Sequence, residues 1–209
     1  MSEGVTYVTY TDLKGSVIVA LLLWFTPIYI CVMYVRPELN VMNILKLLLV
    51  FTGVFSAMLS QHMLHRYLRV SSVKSEATMF SVLTPLSVAI CVAIYLSFIT
   101  TVYVLLWSFI GFVLLTSYSI TRKFWYSNEI IVGLAWSSIF FGSYTVLTNE
   151  LLPPYPITMM FLGLAGYYGL IVFCYRVITG DYKCPVNRKV VSKLLIWLFI
   201  STLVLALSI

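Results

Sequence analysis

Long apolar stretches, separated by short segments that carry almost all of the charge, dominate the sequence. The runs without an ionised side chain are 15–35, 47–61, 77–121, 130–149, 151–175 and 194–209. As one helix, the 77–121 run would span roughly 68 Å at about 1.5 Å per residue, which is about twice the ~30 Å hydrocarbon core of a bilayer. It therefore predicts two helices joined by a tight hairpin near Ser97 to Thr101.

Seven transmembrane helices account for these runs when uncharged flanks and snorkelling lysines are included. The apolar residues do not alternate with polar ones as the strands of a membrane β-barrel require. We therefore expect an all-α polytopic seven-helix bundle over 16–209, preceded by a cytoplasmic N-terminal segment, 1–15. The predicted spans are 16–35, 42–61, 79–97, 101–118, 129–148, 156–176 and 190–208.

The composition excludes the water-soluble classes of protein. Apolar residues make up 61% of the chain and charged residues 10%, and the mean hydropathy is +1.01. A soluble domain has roughly 45–50% apolar and about 25% charged residues, so this chain has too few charges to cover a surface that faces water. A secreted disulfide scaffold, a disordered chain and a cytosolic enzyme are all excluded.

The positions of lysine and arginine predict the orientation. In the seven-span arrangement, 11 of the 13 Lys and Arg residues fall on one side and 2, Arg36 and Lys46, fall on the other. Cytoplasmic loops carry the excess of positive charge in membrane proteins. We expect a multi-pass cell-membrane protein with a cytoplasmic N-terminus and an external C-terminus. Topology and anionic lipid account for the net charge of +6, so we expect no nucleic-acid partner.

Three polar segments follow spans on the cytoplasmic side, where the polar residues of a membrane protein are candidates for function. They are 61–69, 118–129 and 174–183. In the first, Gln61, His65 and Arg69 repeat every four residues and therefore share one helical face. The candidate lipid- or phosphate-binding residues are His62, His65, Arg66, Arg69, Tyr118, Arg122, Lys123, Arg176 and Lys183.

Together these segments resemble the UbiA-type intramembrane prenyltransferases, which transfer an isoprenyl chain from a diphosphate to an acceptor. In that family, Asp-rich runs end the second and sixth helices and hold the Mg²⁺ ions that bind the diphosphate. A Tyr-Ser…Lys stretch and a helix of Gly-Asn-x-x-x-Gly type lie between them. Tyr118 to Lys123, followed by Asn128 and Gly133, matches that middle element, and Gly180-Asp181 matches the end of the second run. The resemblance covers roughly residues 14–200 and implies a UbiA-like bundle.

The metal-binding acids of that family are largely replaced in this chain. Where the family has Asn or Asp, the sequence has Gln61, His62, His65, Arg69, Cys174 and Val177, and Asp181 alone remains. Mg²⁺ requires hard oxygen ligands, and a cationic side chain in the same place would repel it. Only seven of the usual nine helices are predicted. We therefore expect a pseudoenzyme with no metal site and no resident cofactor.

These departures predict a non-catalytic, prenyltransferase-like subunit with a structural or lipid-binding role in a larger membrane complex, for which a respiratory complex is one candidate. Its partners would be membrane lipids and other integral membrane subunits, with phospholipid or isoprenoid lipid at the basic residues. Haem is not expected, because His62 and His65 lie three residues apart on one helix and cannot occupy opposite axial positions.

Alternatives to this reading remain open. The chain could be an active isoprenyl-transferring enzyme in which His, Arg and Lys stabilise the leaving diphosphate without a metal. The same basic residues could also only set the topology or contact lipid phosphates. A transporter or channel has less support, because no acid lies in the interior of a span and no pair of interrupted helices indicates a substrate site.

Overall fold

The computed structural model of the 209-residue chain describes residues 24–69, 76–121, 128–179 and eight helical positions between 189 and 200. At several helix ends only the backbone is described, among them positions 62, 65–69, 119–121 and 175–179. Within the described ranges all regular structure is helical and no strand occurs. For these residues the predicted all-α architecture is confirmed.

The helices follow one another with short connections. They are α1 (Trp24–Val35), α2 (Val41–Arg69), α3 (Glu76–Ile99), α4 (Tyr103–Thr121), α5 (Asn128–Thr148), α6 (Tyr155–Thr179) and α7, to which the described positions between 189 and 200 belong. The hairpin predicted near Ser97 to Thr101 lies at 100–102. The predicted 42–61 span agrees with the span Val41–Gln61, and the α2 helix continues beyond it to Arg69.

Four of the described helices are long and apolar enough to cross a bilayer. The spans are Val41–Gln61, Val82–Ile99, Glu129–Thr148 and Tyr155–Cys174, each with 18 to 21 residues. A helix of about 20 apolar residues matches the ~30 Å hydrocarbon core. Shorter apolar helices occupy Trp24–Val35 and Tyr103–Tyr118 of the described chain. The described helices therefore have the length and composition of a multi-pass membrane protein.

Contacts between helix ends define the two ends of the bundle. The Ser60 hydroxyl donates to the Val82 carbonyl at 3.1 Å, and Trp107 Nε1 donates to the Leu151 carbonyl at 3.1 Å. The α2–α3 and α4–α5 pairs are therefore antiparallel. The ends of α2 and α4 and the beginnings of α3 and α5 lie together, at what we name the Gln61 end. The connections 36–40, 100–102 and 149–154 lie at the opposite end, the Arg36 end.

The α5 helix is the centre of the bundle. Within the spans, 67% of the residues of α5 are buried, whereas the α2 and α3 spans are each 11% buried. The α2 helix packs mainly against α3, while α5 packs against both α4 and α6. The α1 helix packs beside both groups, because Ile28 belongs to a cluster with Val50 and Leu96, and Cys31 belongs to a second cluster with Trp136.

Aromatic side chains fill the core between α5 and α6. Trp136 stacks on Tyr168 with ring centroids 5.2 Å apart, and Trp24 of α1 meets the edge of Tyr168 at 6.2 Å. Phe140 and Phe161 stack one helical turn further along. Such offset and edge-on pairs add to the energy of burial, so this cluster fixes α1 against the α5–α6 pair.

Two glycines let the backbones of α5 and α6 meet. A Cβ at Gly133 would overlap the Ala165 carbonyl oxygen, and a Cβ at Gly169 would lie 2.5 Å from the Glu129 carbonyl oxygen. Small residues at four-residue spacing are typical of close helix crossings in membranes, where van der Waals packing drives association. The close approach therefore depends on the absence of a side chain at both positions.

Candidate functional site

Six of the nine candidate residues lie near the ends of described helices. His62, His65, Arg66 and Arg69 lie on the last two turns of α2 and Arg176 lies on the last turn of α6, but their side chains are outside the described residues. Arg122, Lys123, Lys183 and the lone acid of the second motif, Asp181, are wholly outside them. Tyr118 is the one candidate whose side chain the structure describes.

The ends of α2 and α4 meet at the Gln61 end. Gln61 Nε2 donates to Thr116 Oγ1 at 3.2 Å, and Gln61 is half-buried. Because the two helices run in the same direction here, the 62–69 turns of α2 and the 117–121 turns of α4 leave the junction side by side. The structure therefore places the first residue of the first polar segment beside the α4 turn that precedes the second, through a contact that the residue spacing did not predict.

Tyr118 contributes to the core beside this junction. It is partly buried and packs against the aromatic cluster that contains Trp136 and Tyr168. An aromatic ring in such a place gains packing energy whether or not a ligand is present. The contacts therefore give Tyr118 a packing role that the sequence interpretation, which assigned it to a phosphate site, did not include.

The beginning of α5 carries a buried acid. Glu129 is 5% exposed, lies in the first turn of α5 and, with Gly166 and Gly169, lines a cavity of about 230 Å³. A carboxylate in the first turn interacts favourably with the helix dipole. In the part of the chain that the structure describes, no three His, Cys, Asp or Glu side chains lie close enough to hold a metal ion.

A larger cavity lies between the α2–α3 hairpin and the α4–α5 pair, and the sequence interpretation missed it. We name it the hairpin cavity; its volume is about 410 Å³. Its lining includes Gly53, Ala57, Ala89, Ala93, Gly111 and Gly142, together with larger apolar side chains. The small residues of these helices could have indicated a cavity in the sequence. Periodicity does not show, however, which helices face one another.

One end of the hairpin cavity lies next to the α2–α4 junction. Met58 and Leu115 line the cavity, and the hydrogen bond between Gln61 and Thr116 lies within one helical turn beyond them. The cavity and the basic turns of α2 are thus stacked along the same helices. Along α2 toward the Gln61 end, the apolar cavity comes first, the hydrogen bond between Gln61 and Thr116 comes next, and the positions of Arg66 and Arg69 come last.

No relative supplies a function for this arrangement. The chain matches no protein family, no characterised protein and no solved structure. What the site can do therefore follows from the charges, contacts and cavities of the chain itself.

Proposed function

We propose that this chain is a non-catalytic, prenyltransferase-like membrane protein that binds phosphate-bearing lipid at its Gln61 end and serves as a subunit of a larger membrane assembly. The α2–α4 junction carries the proposal. Because Gln61 contacts Thr116, the turns of α2 that contain Arg66 and Arg69 leave the bundle beside α4, and Arg122 and Lys123 directly follow α4.

Positive charge at this place favours an anionic ligand. Arg and Lys form short, charge-assisted hydrogen bonds with phosphate oxygens. With the N-terminus in the cytoplasm, this end would face the leaflet that carries anionic lipid, where each basic residue near the surface contributes about 1 kcal/mol. A lipid headgroup would thus be held by several side chains from two helices.

The chemistry of the junction also supports a non-catalytic role. Gln61 occupies the position at which the UbiA-type motif begins, and its amide N–H donates to the uncharged hydroxyl of Thr116. Among the residues with a described side chain at this end, the acid is Glu129, and it is buried on α5. A magnesium-bound diphosphate needs several carboxylate ligands, whereas the chain places cationic residues at this end.

Lipid retention tests the headgroup site. We expect protein from vesicles that contain anionic and neutral phospholipid to retain mainly the anionic lipid in native mass spectrometry. The Arg66→Gln/Arg69→Gln variant should lose this preference, whereas Arg36→Gln, which removes one charge at the opposite end, should keep it. Equal retention of both lipids by the unaltered protein would contradict the proposal.

Purification in mild detergent tests the role as a subunit. We expect the chain to migrate with other integral membrane proteins, and recovery as a lone monomer would argue strongly against this part of the proposal.

Incubation with labelled geranylgeranyl diphosphate and candidate acceptors should give no product. Product that forms in the presence of a chelator and disappears in Arg69→Ala would establish the metal-independent enzyme instead.

A further inference from the structure

The hairpin cavity is large, apolar and shaped by five helices. Its volume is about 410 Å³, and residues of α1, α2, α3, α4 and α5 line it. An apolar cavity of about 150 Å³ is already large enough to take up benzene. The hairpin cavity therefore has room for an apolar chain rather than for a single small group.

Polar atoms in the lining are mostly engaged within the protein. The hydroxyls of Ser138 and Ser143 donate to the carbonyls of Ala135 and Ile139, each at 2.7 Å. Trp107 Nε1 donates to the Leu151 carbonyl outside the cavity. Among the described residues of the lining there is no Asp, Glu, His, Lys or Arg. A charged or strongly polar ligand would therefore lose its hydration without gaining partners.

An empty or water-filled cavity is also unfavourable. The energetic cost of an apolar void increases with its volume, and water enters a cavity only where several polar groups can bind it. Hydrocarbon suits such a lining, and a lipid bilayer supplies it at the surface of the spans. The uncharged lining therefore matches an uncharged hydrocarbon tail.

The length of the cavity matches the length of one lipid tail. On α4 the lining runs from Val104 to Leu115, which corresponds to roughly 16 Å of helix and about half of the ~30 Å hydrocarbon core. Ile90 of α3 and Phe109 of α4 line the cavity and are 50% and 67% exposed. They mark an opening between α3 and α4 at the depth of the lipid tails.

We propose that the hairpin cavity binds one hydrocarbon tail of a bilayer lipid, which enters between α3 and α4 and packs against α2 and α5. The tail completes the contact between the α2–α3 hairpin and the rest of the bundle. This inference depends only on the chain lying in a membrane. It does not require the basic residues of the Gln61 end to bind a headgroup.

A photoreactive lipid tests the site directly. The full-length protein is placed in phosphatidylcholine vesicles that contain a small fraction of phosphatidylcholine with a diazirine midway along one tail. After illumination, mass spectrometry locates the labelled residues. We expect labelling around Ala57, Ala93 and Gly111 to exceed that at Met159 and Leu162, which are exposed on α6, by several-fold.

Variants that fill the cavity provide the control. Ala93→Phe and the smaller Ala89→Leu each place side-chain volume in the lining and should cause a several-fold loss of this labelling. Val88→Phe, on the same helix but outside the lining and 40% exposed, should not. In thermal unfolding, added phosphatidylcholine should raise the midpoint of the unaltered protein more than that of the filled variants, because a ligand stabilises the state that binds it.

Three outcomes would overturn the inference. They are labelling spread evenly over all lipid-facing helices, labelling unchanged in both filled variants, and crosslinks from the cavity residues to another protein chain in native membranes, which would show that a partner helix occupies the space. These vesicles contain only a neutral headgroup. Equal retention of anionic and neutral lipid by the unaltered protein, which would contradict the headgroup site, would therefore leave a positive result here unchanged.

Discussion

At positions 133 and 169 a hydrogen atom stands where other residues carry a Cβ, and the backbones of α5 and α6 touch there as a result. The Ala165 carbonyl faces Gly133, and the Glu129 carbonyl faces Gly169. Neither carbonyl can withdraw without bending a helix, because both belong to backbone. This contact is therefore among the least adaptable in the molecule.

Substitution of Gly133 by alanine tests this contact. We expect Gly133→Ala to destabilise the protein by about 1–3 kcal/mol or more, because the added methyl group forces the helices apart. Gly163→Ala on α6 should be neutral or stabilising by up to about 1 kcal/mol, since nothing in the described chain lies within 4 Å of a Cβ there. Unfolding in detergent measures both variants, and equal effects would contradict the close approach.

A hydrogen bond from Trp107 holds the 149–154 connection against α4. We expect Trp107→Phe to destabilise the protein by about 0.5–1.5 kcal/mol, because the ring still packs on Phe141 but the donor to the Leu151 carbonyl is lost. Tyr155→Phe, at a side chain that is 75% exposed, should change the unfolding midpoint little. If both substitutions have the same effect, the hydrogen bond does not stabilise this connection.

Residue-level packing could be predicted from the sequence only in part. Glycines of α6 are natural candidates for close helix contact, and Gly169 makes one. Gly163 and Gly166 do not make such a contact within the described residues. Glycine spacing shows that one face of a helix has small side chains. It does not show which neighbouring helix packs against that face.

At the scale of the helices, the junction of α2 and α4 joins two parts of the bundle that otherwise have few contacts. Gln61 is the last residue of the α2 span, and Thr116 lies in the last turn of the apolar helix Tyr103–Tyr118. The junction also sets where the basic turns of α2 emerge. A change in this contact should therefore alter both the stability of the bundle and the position of Arg66 and Arg69.

A double-mutant cycle measures the contribution of the junction. We expect Gln61→Leu and Thr116→Val to show a coupling energy of roughly 0.6 kcal/mol and at most about 1.7 kcal/mol, the average and the maximum found for hydrogen bonds between membrane helices. Gln61→Leu combined with Thr52→Val should show none, because the Thr52 hydroxyl donates to a carbonyl of its own helix. Purely additive effects of the first pair would contradict a direct hydrogen bond.

The positions of the helices could be predicted well because the bilayer fixes their length. The predicted 129–148 span coincides with the membrane span of α5, Glu129–Thr148. The α2 helix continues past its span to Arg69, as the shared helical face of Gln61, His65 and Arg69 requires. The junction with α4 was missed because it depends on which helices are neighbours.

At the scale of the whole molecule, antiparallel packing separates two chemically different ends. Helix ends followed by basic segments gather at the Gln61 end, and short, largely uncharged connections gather at the Arg36 end. This difference between the ends has the same direction as the separation of lysine and arginine that the sequence predicts. Which end faces the cytoplasm is a property of insertion and needs its own test.

Reagent accessibility tests the orientation. In a background without the four native cysteines, we expect Leu39→Cys, at a position that is 83% exposed at the Arg36 end, to react with a membrane-impermeant maleimide in intact cells. Ser72→Cys, between the second and third spans, should react only after the cells are permeabilised, because cytoplasmic loops carry the basic residues. The reverse pattern would show that the protein is inserted the other way.

The central place of α5 also has a consequence for biosynthesis. Val132, Trp136 and Phe140 belong to one cluster and Val146 belongs to the other. The first four helices therefore leave the insertion machinery before the helix that joins them has been translated. Until the ribosome passes residue 148, α2 and α3 can pair, but α4 lacks the helix against which it mainly packs. Assembly of the whole bundle is therefore a late event in the synthesis of each copy.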